Sequence, residues 1–229
     1  MRIKVIIPVS TDIWNESVRE MYERIVEKRI EFRIVNIEKG PKSIQTSYEE
    51  EFAAPYVLEE VIKAEKEGFD AVVIYCFSDP ALSASRELVN IPVIGIGEAA
   101  KLLAMMIGQQ FAIIVPVLNS VPRHIRKAMS MGIESRLACI KSINIPVLKL
   151  KENTNNLKRA IIEKAKEAVN NDGADTIILG CGAMLNVSKE IQRQLGVPVI
   201  DAGEAGLIIA ESIVRLNLSQ SKKAYGKPL

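Results

Sequence analysis

The second half of this chain repeats the first half. Residues 68–76, GFDAVVIYC, align with residues 173–181, GADTIILGC. Residues 91–99, IPVIGIGEA, align in the same way with residues 197–205, VPVIDAGEA, at nearly the same offset. A period of about half the chain is far longer than that of a solenoid, whose repeats span roughly 20–50 residues. We therefore predict a duplicated fold with two similar lobes.

Short apolar runs alternate with amphipathic stretches in both halves. Of the 229 residues, 48% are hydrophobic and only 5% are aromatic, so the cores must consist of Ile, Val, Leu and Ala. This alternation predicts parallel sheets with helices on both faces. The predicted fold class is α/β, with two similar lobes, each a parallel four-stranded sheet flanked by helices, related by pseudo-two-fold symmetry. Strands are expected near 2–8, 32–37, 71–76 and 92–96, and near 111–117, 138–149, 175–180 and 197–201. Helices are expected near 15–29, 52–67, 80–89, 120–131, 154–171 and 184–195, and after Glu98 and Glu204.

Charge and cysteine content limit the classes of partner. The chain has 30 Lys and Arg against 28 Asp and Glu, a net charge of +2, which gives no reason to expect nucleic acid or a membrane as partner. The apolar runs are strand-sized and too short to span a bilayer. Three cysteines without a disulfide-framework spacing are expected to be thiols in a reducing compartment. We expect a cytoplasmic protein that acts on a small molecule.

Two cysteines occupy matching places in the repeat. Cys76 and Cys181 each close a predicted strand, and ligands of parallel sheets collect at the carboxyl ends of strands. If the lobes face each other, a substrate between these thiols meets one on each face. Racemisation next to a carbonyl needs one group to remove a proton and a second to return it on the opposite face. Cysteine, with an ordinary pKa of roughly 8.5, can serve as either acid or base. This chemistry needs no metal and no organic cofactor, and the single histidine excludes a multi-histidine metal site.

The residues after each cysteine suggest how the thiols are tuned. Asp79 is a plausible N-cap of the next helix and Pro80 its first residue, which would place Cys76 just before a helix N-terminus. Backbone N–H groups there favour a thiolate and can stabilise an enolate oxygen. Cys181 also leads into a predicted helix, and Gly182 would let a substrate approach the backbone. Cys139 has no counterpart in the first half and is expected to be an inert core residue.

These motifs resemble the aspartate/glutamate/hydantoin racemase superfamily, and hydantoin racemases most closely. The segments that carry the resemblance are 48–58 (YEEEFAAPYVL), 76–80 (CFSDP), 92–100 (PVIGIGEAA) and 180–184 (GCGAM). The resemblance implies two-base catalysis by Cys76 and Cys181 without a cofactor, in a cleft between two lobes. It implies a first lobe of residues 1–97 plus 205–229 and a second lobe of residues 98–204, joined by the helices after Glu98 and Glu204. It also implies a homo-oligomer, either a dimer or an assembly of dimers.

Seven further residues are candidates for substrate binding because they lie at strand ends or beside the cysteines: Ser10, Thr11, Phe77, Ser78, Asn119, Ser120 and Gly182. Two loops depart from the hydantoin racemase pattern. An Asn-Pro-Asn-Ser/Thr loop is replaced by Pro8-Val9-Ser10-Thr11, and a Thr-Thr pair by Pro116-Val117. The substrate is therefore left open between a 5-substituted hydantoin, allantoin and an amino acid.

Other interpretations compete with a hydantoin racemase. They are an aspartate or glutamate racemase, a maleate isomerase or arylmalonate decarboxylase that uses one cysteine, a redox dithiol, and a non-catalytic sensor of small molecules. Residues 95–100, GIGEAA, also fit the G-x-G-x-x-A dinucleotide fingerprint. The match is weak evidence for nucleotide binding, because Glu98 would place negative charge where the pyrophosphate binds.

Overall fold

The computed structural model describes residues 1–26 and 30–226. They form two parallel four-stranded sheets in which the strands have the same order, β2-β1-β3-β4 and β6-β5-β7-β8. The prediction of two parallel four-stranded sheets flanked by helices is confirmed. The strands are β1 Arg2–Ile7, β2 Glu31–Asn36, β3 Ala71–Ile74, β4 Val93–Gly95, β5 Phe111–Val115, β6 Leu137–Ser142, β7 Thr176–Leu179 and β8 Val199–Asp201.

Eight α-helices connect and follow these strands in the described part of the chain. They are α1 Asn15–Ile25, α2 Ser47–Lys66, α3 Leu82–Leu88, α4 Ile96–Ile107, α5 Val121–Ser130, α6 Thr154–Asp172, α7 Ser188–Leu195 and α8 Ala202–Arg215. The first helix was predicted over 15–29, of which residues 27–29 lie outside the described residues, as do residues 227–229 of the predicted first lobe. The helix predicted over 52–67 begins five residues earlier, at Ser47, so that Pro55 lies inside it.

The chain divides into two compact units. The first comprises the described parts of Met1–Ile44, Tyr48–Ala99 and Gly203–Leu229, and the second comprises Gln45–Ser47 and Ala100–Ala202. Helices α4 and α8 each begin directly after the last strand of one unit and continue in the other.

Three of the four central strands are buried along their whole length. Every residue of β3, β5 and β7 is buried, which fits their uninterrupted apolar sequences. In the first lobe one apolar stripe of α2, spaced three or four residues apart, packs on the sheet. The corresponding helix of the second lobe, α6, buries a stripe of the same spacing.

The repeated Gly-x-Asp sequence has the same structural role in both lobes. Gly68 and Gly173 follow α2 and α6 with φ of 73° and 76°, a left-handed conformation that favours glycine at a helix end. Two residues later, Asp70 accepts a hydrogen bond from the backbone N–H of Arg2 at 2.6 Å. Asp175 accepts from the backbone N–H of Gln109 at 2.7 Å. Both carboxylates thus fix the start of the neighbouring strand at the amino edge of the sheet.

Candidate active site

Cys76 lies just beyond the carboxyl end of β3. The N–H of Tyr75 donates to the carbonyl of Ile6 at 2.8 Å, which extends the pairing with β1 by one residue. The carbonyl of Cys76 then accepts the N–H of Asp79 at 2.9 Å and closes a turn. Because this turn stands at the carboxyl edge of the sheet, the Cys76 side chain is only partly buried.

Cys181 has the equivalent position in the second lobe. The N–H of Gly180 donates to the carbonyl of Ile114 at 2.8 Å, and the carbonyl of Cys181 accepts the N–H of Met184 at 3.0 Å. The thiol is partly exposed, as is that of Cys76. The sequence repeat therefore extends to the hydrogen bonds of the turn that carries each cysteine.

The predicted helix N-termini next to the cysteines are wrong. Asp79 does not cap α3, which begins at Leu82, because Asp79 and Ala81 take left-handed φ of 50° and 58°. In the second lobe turns and a bend occupy residues 182–186, with Asn186 at a φ of 61°, so α7 begins at Ser188 instead of residue 184. Neither helix starts within five residues of its cysteine, so thiolate stabilisation by these two helix ends is not supported.

Asp79 instead caps the N-terminus of α4. Its Oδ1 accepts the N–H of Gly97 at 2.8 Å and its Oδ2 accepts the N–H of Glu98 at 2.7 Å. A Cβ at Gly95 or Gly97 would overlap this carboxylate, and one at Gly97 would also overlap the Phe77 carbonyl oxygen. The Gly-Ile-Gly sequence resembles a dinucleotide fingerprint, but its glycines make room for the Asp79 carboxylate. This carboxylate occupies the place where a nucleotide-binding protein would bind a phosphate.

The polar candidates after β1 lie at the same sheet edge as Cys76, since β1 and β3 are neighbours. Ser10 is exposed, and its hydroxyl donates to the carbonyl of Gly40 at 3.0 Å. The carbonyl of Thr11 accepts from Nδ2 of Asn36 at 2.7 Å. Phe77 and Ser78, in the Cys76 turn, are 3% and 2% exposed.

The candidates of the second lobe gather at the carboxyl ends of β5 and β7, which are also neighbours. Asn119 is exposed in a short 3₁₀ turn. Ser120 is buried, and its hydroxyl donates to the carbonyl of Val117 at 2.7 Å. Gly182 follows Cys181 directly and is partly buried. Each lobe therefore brings its own candidates together at one sheet edge.

Cys139 lies inside strand β6, opposite Ala112 of β5. Cys139 is partly buried, as the other two cysteines are. Desolvation and the nearby Asp172 carboxylate together raise the pKa of its thiol to about 12, and Lys141 opposes this rise. A thiol with that pKa stays protonated near neutrality and is a poor nucleophile. The surroundings agree with the expectation of an inert residue.

His124 and Glu98 both lie in charged surroundings. The basic sequence around His124, from Arg123 to Arg126, predicts an exposed side chain, but this prediction is wrong because His124 is only 2% exposed on α5. Burial lowers its pKa well below the ordinary value, and the positive charges of Lys101, Arg123 and Lys127 add to that effect. Glu98, at the start of α4, forms an ion pair with Arg86 of α3.

The described residues offer no ready metal site. No group of three or more His, Cys, Asp or Glu side chains within residues 1–26 and 30–226 is placed to hold a metal ion. In the same part of the chain, no helix combines the length and the apolar character that crossing a membrane requires.

Comparison with known proteins places the chain in a family. The model of the family described as Asp/Glu/Hydantoin racemase matches residues 3–209. The hydantoin racemase of Paenarthrobacter aurescens is 38% identical over 231 residues, covering 100% of this chain and 98% of that protein. The hydantoin racemase of Pseudomonas sp. strain NS671 is 35% identical and covers 100% and 92%.

The solved structure of allantoin racemase from Klebsiella pneumoniae superposes with a TM-score of 0.95 at 33% identity, covering 100% of this chain and 94% of that one. The resemblance predicted from the cysteine and glycine motifs is therefore confirmed. The protein is a member of the Asp/Glu/hydantoin racemase family, and racemases are isomerases.

Proposed function

We propose that this protein racemises a 5-substituted hydantoin, with Cys76 and Cys181 as the acid and the base. The observation that carries the proposal is the duplicated turn, which presents one partly exposed thiol at the carboxyl end of an equivalent strand in each lobe. The relatives named hydantoin racemase and allantoin racemase support the substrate class, because allantoin is itself a 5-substituted hydantoin.

The chemistry follows from the acidity of the ring carbon next to the carbonyl. One cysteine, as the thiolate, removes the hydrogen from that carbon and leaves an enolate. The other cysteine, as the thiol, returns a proton to the opposite face, and the two residues exchange roles in the reverse direction. The mechanism requires the two sulfurs to stand on opposite faces of the substrate carbon. The reaction involves no oxidation or reduction and uses no cofactor, because the proton removed from one face is replaced by a proton on the other face.

The polar groups at the two sheet edges are proposed to hold the ring. Hydroxyls of Ser10, Thr11 and Ser78 in one lobe, and groups of Asn119 and Ser120 in the other, offer donors and acceptors for ring carbonyl and N–H groups. Phe77 and Gly182, which directly follow the two cysteines, complete the proposed binding set.

The setting of the enzyme is also a proposal. We expect a homo-oligomer that works in the reducing cytoplasm, where both thiols stay reduced. Neither nucleic acid nor a membrane is expected as a partner.

The test is a racemisation assay in the presence of reductant and chelator. Single enantiomers of 5-benzylhydantoin, 5-isopropylhydantoin, allantoin, aspartate and glutamate are followed by polarimetry against protein-free controls. We expect the wild type and a Cys139→Ala control to racemise a hydantoin, and Cys76→Ala and Cys181→Ala to lose at least roughly a hundredfold in rate. Racemisation of aspartate or glutamate alone would overturn the substrate class. Full activity in either active-site variant would overturn the two-base mechanism.

A further inference from the structure

The side chain of Asp79 fastens the turn that carries Cys76 to α4. Both carboxylate oxygens of Asp79 accept backbone N–H groups of α4, at 2.8 Å from Gly97 and 2.7 Å from Glu98. The N–H of Asp79 in turn donates to the carbonyl of Cys76 at 2.9 Å. Three hydrogen bonds thus connect the backbone of Cys76 to the first turn of a helix.

The surroundings of the Asp79 carboxylate leave it little freedom. Asp79 is only 8% exposed, and the Cα positions of Gly95 and Gly97 lie so close that neither could carry a Cβ. Hydrogen bonds from N–H groups to a carboxylate are stronger than those between neutral groups, and a helix N-terminus adds a favourable dipole. The carboxylate therefore fixes the turn in one position.

The helix end that holds Asp79 is itself anchored. Glu98 pairs with the guanidinium of Arg86, whose Nε donates to the carbonyl of Val93 at 3.0 Å. Arg86 belongs to α3, the helix that follows the Cys76 turn. The segment from Cys76 to α3 is therefore attached to the N-terminus of α4 at two points, through Asp79 and through Arg86.

The backbone of the turn needs this support. Ala81 has a φ of 58°, a left-handed conformation that costs an alanine about 1–2 kcal/mol. Strained residues of this kind persist only where the surrounding contacts fix them. Removing the carboxylate removes the contacts that oppose relaxation of the turn.

The second lobe has no carboxylate at the position equivalent to Asp79. In the repeat, Asp79 corresponds to Met184, whose N–H makes the equivalent bond to Cys181 but whose side chain is a buried thioether without a carboxylate. Whatever Asp79 contributes to catalysis is therefore specific to Cys76.

We propose that Asp79 is a positioning residue for Cys76, which holds this thiol, and not that of Cys181, at the distance required for proton transfer. The inference rests on the proposed two-cysteine mechanism. Displacing a reacting group by about 1 Å can cost roughly a hundredfold in rate, so loosening the turn should have a kinetic effect.

The experiment compares deuterium exchange for the two enantiomers. Each enantiomer of 5-benzylhydantoin is incubated in D2O, and deuterium entry at the ring carbon is followed by NMR at early times. The Cys76→Ala variant defines which enantiomer gives its proton to Cys76. We expect Asp79→Ala to slow exchange of that enantiomer roughly tenfold to a hundredfold more than exchange of the other. Asp79→Asn, which keeps one acceptor oxygen, should show a smaller effect of the same sense.

The control is Asp70→Ala, which removes a carboxylate that also accepts a backbone N–H but lies at the amino end of the same strand. It should change the two exchange rates by equal factors. Equal losses for both enantiomers in both Asp79 variants, or no loss in either, would overturn the positioning role. If Cys76→Ala and Cys181→Ala do not themselves suppress opposite enantiomers, the proposed function fails instead, whatever Asp79 shows.

Discussion

The surroundings of a sulfur decide what each cysteine of this chain can do. Cys76 and Cys181 lie in turns at the carboxyl edges of the sheets, whereas Cys139 lies within a strand and beside Asp172. Sequence reasoning separated the two groups only because Cys139 has no partner in the repeat. The raised pKa of Cys139 agrees with the inert role that this absence suggests.

We expect Cys139 to resist alkylation in the folded protein. With its pKa raised to about 12, the thiol is almost entirely protonated near neutrality, and the reactive thiolate is scarce. Iodoacetamide labelling at pH 7.5, read by peptide mass spectrometry, should modify Cys139 only after denaturation. Rapid labelling of Cys139 in the native protein would contradict the protonated state of this thiol.

The most informative residue that sequence reasoning misjudged is Asp79. Its position before Pro80 fits a helix cap, and local sequence favours that interpretation. The available signal was the pair Gly95 and Gly97 at the junction of β4 and α4, since a Gly-x-Gly sequence marks a place where something approaches the backbone closely. What approaches is a side chain 18 residues earlier in the chain, and such a distant partner cannot be read from local pattern.

At the scale of elements, a buried ion pair joins the first sheet to its covering helix. Lys4 of β1 is 2% exposed. Its Nζ lies 3.0 Å from a carboxylate oxygen of Glu60, within α2, and 3.6 Å from one of Glu67, the residue directly after α2. The sequence shows only a lysine in an apolar run. Its burial depends on α2 supplying carboxylates above the strand.

We expect Glu60→Gln to destabilise the protein by about 2–3 kcal/mol, because it leaves the buried Lys4 ammonium with only the more distant Glu67. Lys63 pairs with the same carboxylate at 2.7 Å but is half exposed, so Lys63→Met should cost less than about 0.5 kcal/mol. Urea unfolding measures both values. Equal effects of the two substitutions would show that the buried pair has no special role.

The junction between β4 and α4 gives a second expectation at this scale. Gly97→Ala should destabilise the protein by about 2 kcal/mol and reduce activity, because the new methyl group would overlap the Phe77 carbonyl oxygen. Gly226→Ala is the control, since the nearest atom to a Cβ there is 3.9 Å away. Thermal unfolding separates the variants, and a harmless Gly97→Ala would contradict the packing described for this junction.

At the scale of the whole molecule, duplication made most of the fold predictable. Two copies of one pattern support each other, so the number and direction of the strands followed from apolar runs. The strand expected over 138–149 was too long: β6 ends at Ser142, and a 3₁₀ turn occupies Val147–Lys149. The starts of α3 and α7 were not predictable, because turns with left-handed residues occupy the sequence expected to be helical. The positions of the cysteines were predictable from the repeat, whereas the bonds that hold their turns were not.

The lowered pKa of His124 should make the free energy of unfolding depend on pH. The folded pKa of His124 lies well below its ordinary value, first because the residue is buried and then because cations surround it. The unfolded chain therefore takes up a proton near pH 6.5 that the folded chain refuses, and stability falls as the pH falls through that value.

Urea unfolding at pH 7.5 and pH 5.5 measures this effect. We expect the wild type to lose about 1 kcal/mol between the two conditions through His124, which is the only histidine in the chain. Whatever its stability at pH 7.5, His124→Gln should lack this part of the pH dependence. An unchanged pH dependence in that variant would show that His124 is protonated in the folded protein.

The central claim is that two cysteines share one proton-transfer reaction from opposite faces of the substrate. Deuterium exchange of each enantiomer of 5-benzylhydantoin by Cys76→Ala and by Cys181→Ala tests it most directly. A variant with one remaining thiol can still exchange the proton that faces this thiol, although it cannot invert the carbon. We expect each variant to lose racemisation, and the two variants to retain exchange of opposite enantiomers. Retention of exchange for the same enantiomer in both variants, or racemisation by either at the wild-type rate, would contradict the account.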